Sequence, residues 1–152
     1  MRVALDTNIL AYAEGVNGSA KKRTALELVQ KLPEGAVFLS VQALAELFQL
    51  LIRKAGRTPA KAREAILSWG DSFPLIETSP EVLFAAADLA NDHKLSIWDA
   101  LILSATAEAG CRLLLSEDLQ DGFTWKGVTV TNPFSSPMNE LLAALLASGS
   151  ES

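Results

Sequence analysis

Short runs of apolar and β-branched residues recur along this chain, most of them separated by stretches of helical periodicity. That alternation constrains the fold more than any other feature. The runs are Val3-Ala4-Leu5, Val37-Phe38-Leu39, Leu75-Ile76, Arg112-Leu113-Leu114-Leu115 and Val128-Thr129-Val130. Lacking polar alternation, they read as strands buried on both faces. Between them, Lys21 to Lys31 sets Ala25, Leu28, Val29 and Leu32 on one side. Gln42 to Lys54 repeats Leu44, Leu47, Phe48 and Leu51 at i, i+3, i+4 and i+7, and ends near Gly56. Pro59 to Trp69 forms a shorter helix. Ser79-Pro80 pairs a cap with a first-turn proline and opens a helix through Ala90. Ser96 opens another that stops at Gly110. Strands joined through helices imply right-handed crossovers. The expected fold is an α/β three-layer domain, helices flanking a central, mainly parallel five-stranded sheet.

At 152 residues with 49% apolar content, one domain can bury about two-thirds of its unfolded surface. Residues 1–135 form that domain. A Leu/Ala helix within 136–148 follows, packed on the domain or at an interface, and 149–152 read as a disordered polar tail. Cys111 has no partner for an internal disulfide, and His93 is the single histidine. Disulfide frameworks and multi-imidazole sites are therefore excluded. The opening MRVALDTN has no basic-then-apolar leader, and the longest apolar run, LLAALLA at 141–147, is too short to span a bilayer. A cytoplasmic, membrane-free protein is expected.

In parallel sheets, sites collect beyond the C-terminal ends of strands. Four carboxylates stand near such places: Asp6 after the first strand, Glu46 one turn into the helix after the second, Asp99 in the first turn of the Ser96 helix, and Asp118 after the fourth strand. Each alone has a structural explanation. Asp6 can cap the helix opening at Thr7-Asn8. Glu46 can belong to a solvated stripe with Gln42, Gln49 and Arg53. Asp99 completes a capping box with Ser96, and Asp118 lies in a turn-rich stretch. Together, acids at three strand ends and one helix start, all on one predicted side, suggest one cluster. Clustered carboxylates repel and raise each other's pKa values unless a hard cation compensates them. Oxygen donors without His or Cys select Mg²⁺ or Mn²⁺, ions that also engage phosphate.

Leu5-Asp6-Thr7-Asn8, Ala45-Glu46, Ile97-Trp98-Asp99-Ala100-Leu101-Ile102, Leu115-Ser116-Glu117-Asp118-Leu119-Gln120-Asp121-Gly122 and Thr131-Asn132-Pro133-Phe134 occur in this order. In these pieces the chain resembles PIN domains, and among them the VapC-type ribonuclease toxins. The resemblance implies a metal-dependent endonuclease acting on single-stranded RNA. Asp6, Glu46, Asp99 and Asp118 would serve as its metal-holding catalytic acids, with Asn8 and Ser116 supporting them. It further implies a cognate antitoxin and a homodimer. A catalytically silent PIN fold that binds RNA or protein is the alternative. A haloacid-dehalogenase-type phosphatase would need an acid where Asn8 stands, and a response-regulator receiver would need an acidic pair before Asp6; both are set aside.

The net charge of −5 hides an asymmetry: residues 1–63 carry ten Lys and Arg against five Asp and Glu, the remainder three against thirteen. Arg53, Lys54, Arg57, Lys61 and Arg63 form the candidate RNA-binding group beside the acids. Lys21-Lys22-Arg23 is a second cluster, equally readable as a solvated face. Trp69, Trp98 and Trp125 read as core or edge packing, with base stacking by Trp125 as the alternative. His93 reads as structural or surface.

Overall fold

The computed structural model describes residues 1–150. Strand β1 (Val3–Leu5) leads into α1 (Thr7–Ala13) and α2 (Ser19–Lys31). Strand β2 (Val37–Ser40) is followed by α3 (Val41–Arg53) and α4 (Pro59–Ser72), and β3 (Leu75–Ile76) by α5 (Pro80–His93) and α6 (Ile97–Glu108). Next come β4 (Leu113–Leu115), β5 (Thr124–Trp125), β6 (Val128–Thr131) and α7 (Glu140–Ser150).

Side-chain caps open four of the helices, and two of them, Ser79 and Ser96, were expected from the sequence. The side chains of Ser40, Thr58, Ser79 and Ser96 accept the amides of Ala43, Lys61, Val82 and Asp99, at 3.1–3.2 Å. Each removes one of the orphan donors that every helix start leaves. Pro59 and Pro80 occupy first-turn positions, where no amide is missed.

The sheet order is β3-β2-β1-β4-β6-β5. Parallel pairing joins all but the last strand, with Val3 opposite both Val37 and Leu113. The sheet thus has six strands rather than the expected five. The added strand, β5, runs antiparallel to β6, with Thr124 opposite Thr129. Its turn, Lys126-Gly127, takes positive φ at both residues, 46° and 85°, as a two-residue hairpin requires.

Every residue of β1 and β4 is buried. Helix α6 is buried from Ala100 through Thr106, as expected of a helix that is apolar nearly all round. Helix α7 begins at Glu140, capped by Asn139, and buries Leu142 and Leu145. It runs through Gly149 and Ser150, where the sequence suggested the start of a tail; residues 151 and 152 lie outside the described residues. A Cβ at Gly149 would collide with the carbonyl of Lys31, so glycine permits this close seating of α7 on the end of α2.

Because β1 has β2 on one side and β4 on the other, the crossovers from β1 and from β4 diverge. A crevice opens at the C-terminal ends of these two strands, the place where doubly wound sheets bind ligands.

Candidate functional site

Asp6 stands at the mouth of that crevice and is only 5% exposed. It closes β1 and caps α1. Its Oδ1 accepts the Thr7 amide at 2.8 Å. Its Oδ2 accepts the Ser116 hydroxyl at 2.7 Å and the Asn8 side-chain amide at 3.3 Å. Burial pushes its pKa from 3.8 up to about 6. The hydrogen bonds from Ser116 and Thr7 oppose that rise, while the charges of Asp99 and Glu46 add to it.

Ser116, directly after β4, is the junction of the site. While donating to Asp6, its hydroxyl oxygen accepts from the Asn8 side chain and from the amides of Asp118 and Leu119, each at 3.2 Å. Asn8 completes the ring, its Oδ1 accepting the Glu117 amide at 3.1 Å. Both polar residues expected to support the acids therefore touch Asp6.

The remaining acids are held more loosely. Glu46 on α3 is half-buried and accepts the Thr7 hydroxyl at 3.1 Å. Burial raises its pKa, the Thr7 bond opposes this, and Asp99 adds to it. The carboxylates of Asp99 and Asp118 accept no hydrogen bond among the described residues, and Asp118 is exposed. A cavity of about 240 Å³ brings the four together: Asp6, Glu46, Asp99 and Asp118 all line it. The α3 face adds Gln49, Leu50 and Arg53. The acids share this space without converging. Among the described residues, no group of three or more His, Cys, Asp or Glu is gathered closely enough to hold a metal ion. The donor set itself, carboxylate oxygens with neither imidazole nor thiolate, suits a hard divalent cation. An added positive charge would also relieve the burial of Asp6 as an anion beside two like charges.

The basic residues divide. Arg53 borders the pocket and, with Lys54, Lys61 and Arg63, is exposed. Arg57 is committed elsewhere: its guanidinium donates to Glu14 Oε1 and to the Glu14 carbonyl, both at 2.7 Å. Glu14 also accepts the Trp69 indole N–H at 3.0 Å, so the C-cap of α1 holds both the residue leading into α4 and the C-terminal part of that helix. Lys21 is likewise engaged, paired with Glu117 at 2.5 Å, whereas Lys22 and Arg23 are exposed. Of the tryptophans, Trp69 is buried and Trp125 half-buried under Lys126. Trp98 departs from the expected packing and stands 57% exposed beside Asp99. His93 is exposed, edge-on to Phe123.

Sequence reasoning passed over Thr7 and Gln49 as pocket residues. Thr7 had a signal, its place between Asp6 and Asn8. Gln49 had a weaker one, three residues beyond Glu46 on the same helical face.

A family model for the PIN domain matches residues 3–121. The chain belongs to the PIN domain family. No curated protein sequence matches this chain. This PIN domain superposes on Mycobacterium tuberculosis VapC20, a sarcin-ricin loop cleaving toxin, with a TM-score of 0.64 at 20% identity, covering 76% of this chain and 89% of that one. A toxin–antitoxin complex from Klebsiella pneumoniae matches with a TM-score of 0.65 at 21% identity, covering 87% of this PIN domain chain and 98% of the other. PAE2754 from Pyrobaculum aerophilum gives a TM-score of 0.62 at 17% identity, over 100% and 97% of the two chains. These likenesses establish the shared fold. No helix among the described residues of the PIN domain is long and apolar enough to cross a membrane.

Proposed function

We propose that this PIN domain is a Mg²⁺- or Mn²⁺-dependent endoribonuclease that hydrolyses phosphodiester bonds of single-stranded RNA. In this reading it is the toxin of a toxin–antitoxin pair, with a cognate antitoxin as partner, a homodimeric assembly and a cytoplasmic place of action. The observation carrying the proposal is that four acids from four distant segments line one pocket. The structural neighbours, a VapC toxin and a toxin–antitoxin complex among them, support the biological setting.

Asp6 is the fixed point of the site. Thr7, Asn8 and Ser116 leave its carboxylate no freedom to turn, so its orientation needs no reorganisation when substrate arrives. Glu46 on α3 and Asp99 on α6 would supply further oxygens, and Asp118 would supply one from the exposed loop after β4. What a divalent cation would contribute here, once held by these oxygens, is an acidified water and positive charge beside the phosphate. Arg53, at the edge of the pocket, would take a neighbouring phosphate, and Lys54, Lys61 and Arg63 would extend salt-sensitive affinity along the strand. No side chain is needed as nucleophile. Water attack in line leaves a 5′-phosphate and a 3′-hydroxyl.

The test incubates purified protein with end-labelled RNA and Mn²⁺, alongside EDTA and Asp99→Asn controls. Cleavage that vanishes in both controls supports the nuclease. RNA binding without cleavage in Mn²⁺ overturns it in favour of a binding module. Growth arrest on expression of the wild-type chain, absent for Asp99→Asn, supports the toxin assignment; unimpeded growth with an active nuclease overturns it.

A further inference from the structure

We infer that Lys21, Tyr12 and Glu117 form a positioning clamp, holding the Ser116–Asp118 loop against Asp6 and so setting how tightly the acidic pocket takes a divalent cation. The inference rests on the metal-dependent reading above and adds to it residues outside the acidic set. Glu117 lies between the two site residues of the loop, and its carboxylate is gripped from both sides. The Tyr12 hydroxyl donates to Oε1 at 2.8 Å, and the Lys21 ammonium donates to Oε2 at 2.5 Å. Lys21 is itself caged, its Nζ lying 4.7 Å from the Tyr12 ring centre and 4.6 Å from that of Phe134. Those rings lie 6.0 Å apart. One ammonium thus ties α1, α2, the loop after β4 and the segment after β6.

The pull on Glu117 reaches Asp6 through two short routes. The Glu117 amide donates to Asn8, whose side chain donates to Asp6. The adjoining Ser116 donates directly to Asp6 and accepts the Asp118 amide. Fixing Glu117 therefore fixes two of the three groups that orient Asp6, together with the backbone that presents Asp118. Exposed ion pairs contribute little to folding, but groups that orient ligands typically change metal affinity 10- to 100-fold. The same geometry removes Lys21 from the pool of free phosphate-binding cations.

The experiment titrates Mn²⁺ into the full chain by calorimetry, comparing wild type with Lys21→Met, Glu117→Gln, Tyr12→Phe and the conservative Lys21→Arg. RNA affinity across a salt series is measured alongside. Lys21→Met and Glu117→Gln are expected to bind Mn²⁺ about 10-fold more weakly, with native circular dichroism and an unchanged salt slope. Tyr12→Phe, which keeps the ring and loses only the hydroxyl, should fall between them and wild type, and Lys21→Arg should restore binding. Unchanged Mn²⁺ affinity with a shallower salt slope in Lys21→Met would make Lys21 a phosphate contact and overturn the clamp alone. A wild-type chain that binds no Mn²⁺ overturns the metal-dependent reading and the clamp with it.

Discussion

The site has two halves built on different terms. On the inner side, Asp6, Asn8 and Ser116 are all buried and bonded to one another. On the outer side, Asp99 and Asp118 are at least partly open to water, and their carboxylates have no hydrogen-bond partner among the described residues. The inner half is part of the folding problem, since desolvating a carboxylate is unfavourable and the network only partly offsets it. The outer half keeps contact with water, and its expense to the fold is the repulsion that Asp99 exerts on Asp6 and Glu46. Two acids with the same proposed task should therefore behave alike in catalysis and differently in stability.

The sharpest way to break that comparison is a matched pair of amide substitutions. Asp6→Asn and Asp99→Asn should each lower the rate of RNA cleavage by about 100- to 1000-fold. In metal-free protein near pH 7, Asp6→Asn should also raise the melting temperature by several degrees, because it removes a buried charge, whereas Asp99→Asn should raise it much less, relieving only its repulsion of Asp6 and Glu46. Scanning calorimetry in EDTA decides; equal melting temperatures would erase the distinction.

The pH dependence tests the same point without mutation. Asp6 titrates at about 6 in the fold against 3.8 ordinarily, so across that interval the native state keeps a proton that the unfolded chain has released. Stability contributed by this group therefore declines as pH rises from about 4 to about 6, by about 3 kcal/mol in all. Urea midpoints of metal-free protein at about pH 5 and pH 7.5 should differ in that sense for the wild type and much less for Asp6→Asn. A wild-type midpoint that does not fall would refute the buried anion.

The arginines extend the contrast between committed and free groups. Arg57→Ala should destabilise the protein by about 2 kcal/mol, since two charge-assisted bonds to Glu14 disappear, with little change in the salt dependence of RNA binding. Arg53→Ala should do the reverse, leaving stability intact and reducing the slope of log K against log salt by about 1. The smallest effect is expected at Trp98. Its removal as Trp98→Ala should change stability by no more than about 0.5 kcal/mol, and a loss of several kcal/mol in chemical denaturation would show that it packs against something.

The strands on both sides of β1 were readable because a strand buried on both faces must be apolar throughout, and two helix starts because Ser79 and Ser96 can do little else so cheaply; the caps Ser40 and Thr58 emerge only in the fold. Strand β5 escaped because it is two residues long and its turn places Lys126, not glycine or asparagine, at a positive φ. For the acids, three strand ends and one helix start pointed to Asp6, Glu46, Asp118 and Asp99, all of which line the pocket, yet said nothing of depth. Only packing decides that Asp6 is sealed while Asp118 is open. The pairings of Arg57 with Glu14 and of Lys21 with Glu117 span 43 and 96 residues, and no local pattern encodes a partner at such a distance. Composition alone grouped these cations with free ones.

The unsupported carboxylate of Asp99 has a practical corollary. Since no side chain or backbone group among the described residues hydrogen-bonds to it, an amide there should, on the proposed function, yield an inert copy with native shape. Such a copy can be grown in cells that would not tolerate the working nuclease, then used as bait that captures intact transcripts, or the inhibitor that shields them.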